Sequence, residues 1–102
     1  MTNNVDLNSL EENTHFVLYY LSKAYPNQPK KQDIVAGTGL SGNTISSKLN
    51  ALKELKLIKT KRSGRGFRYF IDENIKQLFD EWSATDIGQN TIQLFEEKLS
   101  KL

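Results

Sequence analysis

Apolar side chains recur at helical spacing in most of the chain, and prolines, glycines and one short β-like stretch separate these runs. A first helix is predicted from Ser9 to about Ala24, with Glu12 completing a capping box. One of its faces carries Leu10, Val17, Leu21 and Ala24, and a second carries Phe16 and Tyr20. A helix that is apolar on two faces needs two partners, which we expect to be its own core and a second subunit.

Two shorter helices follow the Tyr25–Pro29 segment, where proline ends the first helix. Residues 30–36 predict the first of them and residues 42–56 the second, with the glycine-containing turn Gly37–Ser41 between. Ser41 is suited to cap the second helix, whose buried face carries Ile45, Leu49 and Leu52. Residues 30–56 therefore predict a helix-turn-helix.

A β-hairpin and a further helix are predicted next. Strands are expected over residues 58–62 and 67–71, because the glycines of Ser63–Gly66 suit a hairpin tip and aromatic residues follow them. Residues 72–74 then begin a helix that runs to about Ser83 and buries Ile75, Leu78, Phe79 and Trp82.

The last helix, after a break near Asp86–Gly88, carries an apolar seam at Ile92, Phe95, Leu99 and Leu102. This spacing is that of a coiled-coil seam, but two heptads are too short to form one alone. We expect the seam to pack on a two-fold mate. The predicted dimerisation residues are Phe16, Tyr20, Ile92, Phe95, Leu99 and Leu102.

Size and composition exclude several classes of function. The 102 residues allow one domain (1–102), with no cysteine and a single histidine, His15, which we expect to be a packed structural residue. No metal site, cofactor or enzymatic activity is therefore expected. The chain has no apolar run of the ~18 residues that a membrane span needs and no signal-peptide layout, so a cytoplasmic location is expected.

The net charge of +2 conceals strong polarisation. Residues 30–68 hold ten Lys or Arg against two acidic residues, a net of +8, whereas residues 1–29 sum to −2 and residues 69–102 to −4. Such polarisation is expected of a surface that meets a phosphate backbone.

The exposed half of the helix over 42–56 is made of short hydrogen-bonding residues with little helix propensity, which suit base edges and phosphates in a major groove. The hairpin adds five cations and no acid, and Arg65 at its tip suits a minor groove. Lys30, Lys31 and Lys48 suit backbone positioning. The candidate DNA-binding residues are Ser41, Asn43, Thr44, Ser47, Lys48, Asn50, Lys59, Lys61, Arg62, Arg65, Arg68, Lys30 and Lys31.

The stretch LSGNTISSKLNALKELKLI (40–58), followed by the basic KTKRSGRGFRYFI (59–71), resembles the winged helix-turn-helix of the MarR and ArsR superfamily of transcription regulators. The resemblance covers about residues 10–80. It implies a mainly α-helical fold with a small β-hairpin wing (α+β) and a C-terminal dimerisation helix. Lys56 stands where that family usually has glycine, and a left-handed residue there would cost about 1 kcal/mol.

The leading hypothesis is a homodimeric, sequence-specific double-stranded DNA-binding regulator, most simply a repressor. An alternative is a centromere-binding adaptor of plasmid partition, with a partner protein bound by the acidic C-terminal region. A second alternative is a winged-helix protein–protein interaction module, against which the +8 segment argues.

Overall fold

A computed structural model describes residues 7–101 of the chain. A 3-10 turn at Leu7–Ser9 is followed by five helices and one antiparallel hairpin in the order expected. Their bounds are α1 Glu12–Ala24, α2 Lys31–Thr38, α3 Gly42–Glu54, β1 Lys59–Ser63, β2 Gly66–Phe70, α4 Glu73–Ser83 and α5 Asp86–Ser100. The mainly helical fold class with a β-hairpin wing is confirmed. None of the helices in this range has the length and apolar character of a membrane-crossing segment.

Helix α1 lies at the centre of the fold and is covered on both of its apolar faces by the same chain. It packs against α2 and α3, and Phe16 and Tyr19 stack on Phe95 of α5 with ring centroids 5.2 and 5.4 Å apart. Phe16 is 1% exposed. The prediction that a second subunit covers the second face is therefore wrong for Phe16, because α5 of the same chain occupies that position.

The start of α1 differs from the prediction by three residues. Ser9 lies in the 3-10 turn, and the cap is Glu11, whose carboxylate accepts from the Asn13 backbone N–H at 3.4 Å. The preceding segment instead crosses α4: Leu7 is buried and Trp82 Nε1 donates to Asn8 Oδ1 at 2.8 Å. Burial of this segment outweighs the extra turn of helix that the Ser9–Glu12 pattern favours.

The helix-turn-helix forms for the local reasons expected. Helix α2 runs to Thr38, two residues past its predicted end, and stops at Gly39 with φ 74°, a left-handed angle that glycine adopts readily. Ser41 caps α3, and its Oγ accepts from the Thr44 backbone N–H at 3.1 Å. Ile45, Leu49 and Leu52 of α3 are buried, as predicted.

Both strands of the hairpin begin and end within one residue of their predicted bounds. Ser63 pairs with Gly66, so Gly64 and Arg65 form a two-residue tip, with Gly64 at φ 60°. The segment before α2 joins the hairpin, because Tyr69 N–H donates to the Pro29 carbonyl at 2.9 Å and Lys30 bridges to Arg68. This contact fixes the wing against the start of α2.

The C-terminal helices pack onto α1 through aromatic residues. Asp72 caps α4 and Thr85 caps α5. Gly88 permits a close approach of the two helices, since a Cβ there would lie 2.1 Å from the Trp82 carbonyl oxygen. Phe95 is 1% exposed inside the chain's own core.

The predicted seam of α5 therefore faces inward. Ile92 and Leu99 are partly buried against the same core, as is Tyr20 of α1, and Leu102 lies outside the described residues. The prediction that Phe95 contacts a mate is wrong, because the core of one chain already buries it. The outer face of α5 instead exposes Ile87 by 56% and Leu94 by 55%.

Candidate nucleic-acid interface

The outer face of α3 presents short polar side chains to solvent. Asn43, Ser47 and Asn50 are exposed. Thr44 is half-buried and accepts a hydrogen bond from Ser41 Oγ at 2.9 Å. Within residues 7–101, Asn43, Ser47 and Asn50 make no side-chain hydrogen bond to the protein. The helix is therefore held by its cap and its apolar face, and its outer amides and hydroxyl remain available to a ligand.

Lysines at the start of α2 lie between the start of α3 and the wing. A Cβ placed on Gly42, the first residue of α3, would lie 3.9 Å from Lys31 Nζ, so this ammonium sits beside the start of α3. Lys30 and Lys31 also line a cleft of about 380 Å³ whose opposite wall is the wing residues Ser63–Phe67. We call this the basic cleft. It makes one continuous surface of the start of α3, the start of α2 and the wing tip.

Most of the wing cations point into solvent. Lys61, Arg62 and Arg65 are exposed and form no salt bridge with any residue from 7 to 101. Lys59 lies 3.3 Å from Asp72, but its side chain is 63% exposed, so water screens this pair. The pKa of Asp72 is lowered, first by the Ile75 backbone N–H that it caps and then by Lys59. Four cations of the wing can thus turn toward an anion.

Two of the cations predicted to bind DNA also have partners within the chain. Lys48 pairs with Glu11, the cap of α1, and this hydrogen bond is the main reason why the pKa of Glu11 is lowered. Arg68 Nη1 donates to the Gln28 carbonyl at 2.8 Å, and its Nε donates to Ser63 Oγ at 3.3 Å. The structure places Lys48 on the α1–α3 contact and Arg68 on the attachment of the wing.

The acidic C-terminal region is divided in the same way between structural and exposed carboxylates. Asp72 caps α4, and Asp80 lies 3.1 Å from Lys76 one turn earlier. Asp80 is nevertheless exposed, as are Glu73, Glu81, Asp86, Glu96 and Glu97. They make the outer surface of α4 and α5 acidic. The basic surface, in contrast, belongs to α2, α3 and the wing, which precede these helices in the sequence.

Sequence reasoning missed the exposure of four large apolar residues, of which Leu55, 38% exposed, follows the end of α3. Phe67 is 46% exposed and lines the basic cleft. Ile87 and Leu94 stand two helical turns apart on α5. Their spacing was a usable signal, since it defines a second apolar stripe beside the one at Ile92 and Phe95. No such signal existed for Phe67, because a single aromatic residue in a strand is ordinarily covered.

Comparison with solved structures places this geometry in a known fold. The DNA complex of MepR from Staphylococcus aureus superposes with a TM-score of 0.66 at 19% identity, over 93% of this chain and 78% of that one. A possible transcriptional regulator for arsenical resistance gives 0.56 at 18% identity, over 91% and 97% of the two chains. The chain has a winged helix-turn-helix fold.

A further structure of MepR, described as a transcription regulator of the S. aureus multidrug efflux pump MepA, gives 0.57 at 21% identity, over 90% of this chain and 64% of that one. No protein-family model and no curated protein matches the sequence significantly. In this fold, α2 and α3 form the helix-turn-helix, α3 occupies the position called the recognition helix, and β1–β2 forms the wing.

Proposed function

We propose that the chain is a homodimeric, sequence-specific double-stranded DNA-binding protein that regulates transcription, most simply as a repressor. The observation that carries this proposal is the outer face of the recognition helix: Asn43, Ser47 and Asn50 are exposed without protein partners beside a basic cleft and wing. The similarity to a MepR–DNA complex supports the same assignment.

The recognition helix has the chemistry for direct readout. An asparagine amide can both donate to and accept from the edge of adenine, and serine can do either with several bases. Ser41 and the first turn of α3 offer hydrogen-bond donors to a flanking phosphate. Asn43, Ser47 and Asn50 are thus proposed to read bases, and Ser41 and Thr44 to position the helix.

The cations would supply affinity rather than sequence preference. Lys30, Lys31, Lys61, Arg62 and Arg65 are proposed to contact phosphates, with Arg65 at the tip placed to enter a minor groove. Contacts of this kind release counterions, so the affinity should fall steeply with salt concentration. Lys59 can also contact a phosphate, because only its weak surface ion pair with Asp72 would be lost.

The homodimer is proposed to form through the outer face of α5. Two large exposed apolar residues on one helical stripe are unfavourable in water and are covered readily by a second copy of the same stripe. Asp86 begins α5 and Lys101 follows its end. An antiparallel pair of α5 helices would therefore place opposite charges at both ends of the contact.

The alternatives have less support. The similar structures described above are regulators rather than enzymes, and none of them concerns plasmid partition. A protein-interaction module is disfavoured because its surface would not need four exposed cations on the wing beside two half-buried lysines of a cleft. A repressor needs only to occupy its site and exclude the transcription machinery.

The test is to select bound sequences from fragments of the protein's own genome at ~150 mM salt, where non-specific binding is weak. We expect a few palindromic sites near promoters, with half-sites about one helical turn (~34 Å) apart. The triple variant Asn43→Ala, Ser47→Ala, Asn50→Ala is the matched control, since it keeps every cation and should retain DNA without sequence preference.

Other results would overturn the proposal. A cluster of direct repeats beside a partition gene would favour the centromere-binding adaptor. If the wild-type protein and the triple variant retain the same fragments, α3 does not read sequence. Retention of no DNA at all would leave the protein-interaction module as the better explanation.

A further inference from the structure

We propose that Phe67 is a nucleic-acid contact of the wing: its ring packs on a deoxyribose of the strand that lies in the basic cleft, between phosphates held by Arg65 on one side and by Lys30 and Lys31 on the other. The inference rests on the proposed function, because it requires DNA in the cleft. It assigns a sequence-independent apolar contact to a surface that otherwise offers only charge.

Within residues 7–101, the core does not cover Phe67. It leaves 46% of a phenylalanine in water, whereas Tyr69, two residues further along the same strand and on the same face, packs on the core. A phenylalanine that served only the hairpin would be covered by it. Here the ring lies beyond the edge of the core, toward the wing tip.

The neighbours of Phe67 define what can cover it. Arg62 is its cross-strand partner, and the guanidinium carbon lies 6.0 Å from the ring centroid. Lys30, Lys31 and Arg65 share the cleft with the ring. An apolar protein surface would have to bury these cations without partners, which is costly. The occupant must therefore combine negative charge with apolar surface at short range.

A nucleic-acid strand has this combination, since its phosphates alternate with sugars whose carbon atoms are apolar. The cleft of about 380 Å³ lies within the ~300–1,000 Å³ range of small-ligand pockets, so one sugar–phosphate unit can enter it. Arg62 would hold the ring in place from its cross-strand position. The contact would add affinity on any sequence, because every nucleotide carries the same sugar.

Salt dependence separates an apolar contact from a charged one. We would measure binding to a random-sequence duplex over a series of salt concentrations, for the wild type, Phe67→Ala, Phe67→Tyr and Arg65→Ala. Phe67→Ala should weaken binding about five- to twentyfold at every salt concentration with an unchanged slope, because it removes apolar burial and no counterion release. Arg65→Ala should lower the slope by about one.

Phe67→Tyr should bind nearly as the wild type, since it keeps the ring. Thermal unfolding of each variant checks that the wing is folded. Unchanged affinity of Phe67→Ala would overturn the inference, and so would a reduced slope, which would mean that Phe67 acts only by positioning the cations.

The outcomes also separate this inference from the proposed function. Because the duplex is random in sequence, failure to find specific sites leaves the experiment intact. A wild-type protein with no affinity for any duplex would overturn both. Binding to vesicles of anionic phospholipid that requires Phe67, without binding to DNA, would assign the same surface to a membrane and overturn the inference.

Discussion

The recognition helix α3 and the C-terminal helix α5 are built alike on the inside and differ on the outside. Each buries apolar residues at helical spacing, Ile45, Leu49 and Leu52 in α3 and Phe95 in α5. Outside, α3 shows amides and a hydroxyl, whereas α5 shows Ile87 and Leu94. The inner faces explain the fold, and the difference between the outer faces is the basis for the different partners proposed for the two helices.

The charges around the two helices reinforce this difference. The start of α3 lies beside Lys31 and the basic cleft, so its partner should be an anion with hydrogen-bonding groups. Acidic residues border the apolar stripe of α5, and Lys101 stands at its far end. These carboxylates disfavour contact of this face with DNA.

The largest expected effect tests the apolar side of this comparison. Leu94→Asp should raise the dissociation constant of the dimer at least about hundredfold, because an unpaired carboxylate would enter the centre of the interface. Gln93→Asp is the control, since it adds the same charge at an exposed neighbouring position off the stripe. Sedimentation equilibrium measures both, and a Leu94→Asp dimer as stable as that of Gln93→Asp would place the interface elsewhere.

A second large effect concerns the aromatic cluster that joins α1 to α4 and α5. His15 is 4% exposed, lies 4.3 Å from the Trp82 ring centroid, and its Nε2 has no hydrogen-bond partner among residues 7–101. Burial lowers the pKa of His15 from 6.5 to about 4. Since the unfolded chain takes up the proton at higher pH, this group stabilises the fold above pH 6.5, and its contribution falls as the pH drops toward 4.

The loss should reach about 3 kcal/mol in the free energy of unfolding at the lower end of that window. His15→Phe keeps a ring in the cluster and removes the titration. Acidic groups such as Glu11 and Asp72 titrate in both proteins, so the difference in free energy of unfolding between wild type and variant isolates the effect of His15. Urea unfolding from pH 7 to pH 4 measures it. Parallel pH profiles for the two proteins would show that His15 does not titrate in this way.

The parts of the fold that depend on local chemistry were predictable from the sequence. Ser41 and Asp72 cap the helices that they were expected to begin, and the glycines of the wing tip give the expected hairpin. Caps and tight turns are decided by a few neighbouring residues. Helix α3 could be located for the same reason, since its cap, its apolar spacing and its polar outer residues all lie within Ser41–Glu54.

The parts that failed depend on distant residues. The apolar seam of α5 predicts that Phe95 is buried, but it does not show which element covers Phe95. In the structure, α1 of the same chain covers it. The composition of the wing likewise showed its charge without showing that Arg68 binds the Gln28 carbonyl, forty residues away. Nothing in the sequence showed that Glu11 would pair with Lys48, 37 residues away.

The polar side of the comparison is tested by Asn50→Ala. Loss of a bidentate base contact should reduce discrimination between a selected site and random DNA by about 1–3 kcal/mol. Glu54→Ala is the matched control, because Glu54 lies on the same side of α3 one turn later and is expected to face solvent. Competition binding measures both, and equal weakening of Asn50→Ala on the two DNAs would make Asn50 a backbone contact.

The smallest effect distinguishes the ends of the two helices. Beyond α3, Lys56 has φ 61°, a left-handed angle that strains a side chain with a Cβ, whereas Lys101 beyond α5 has φ −94°. Lys56→Gly should therefore raise the free energy of unfolding by about 1 kcal/mol, although glycine also gains freedom in the unfolded chain. Lys101→Gly removes the same charge without relieving strain and should give no gain. If thermal unfolding shows equal shifts for both, then the effect comes from charge rather than from the backbone.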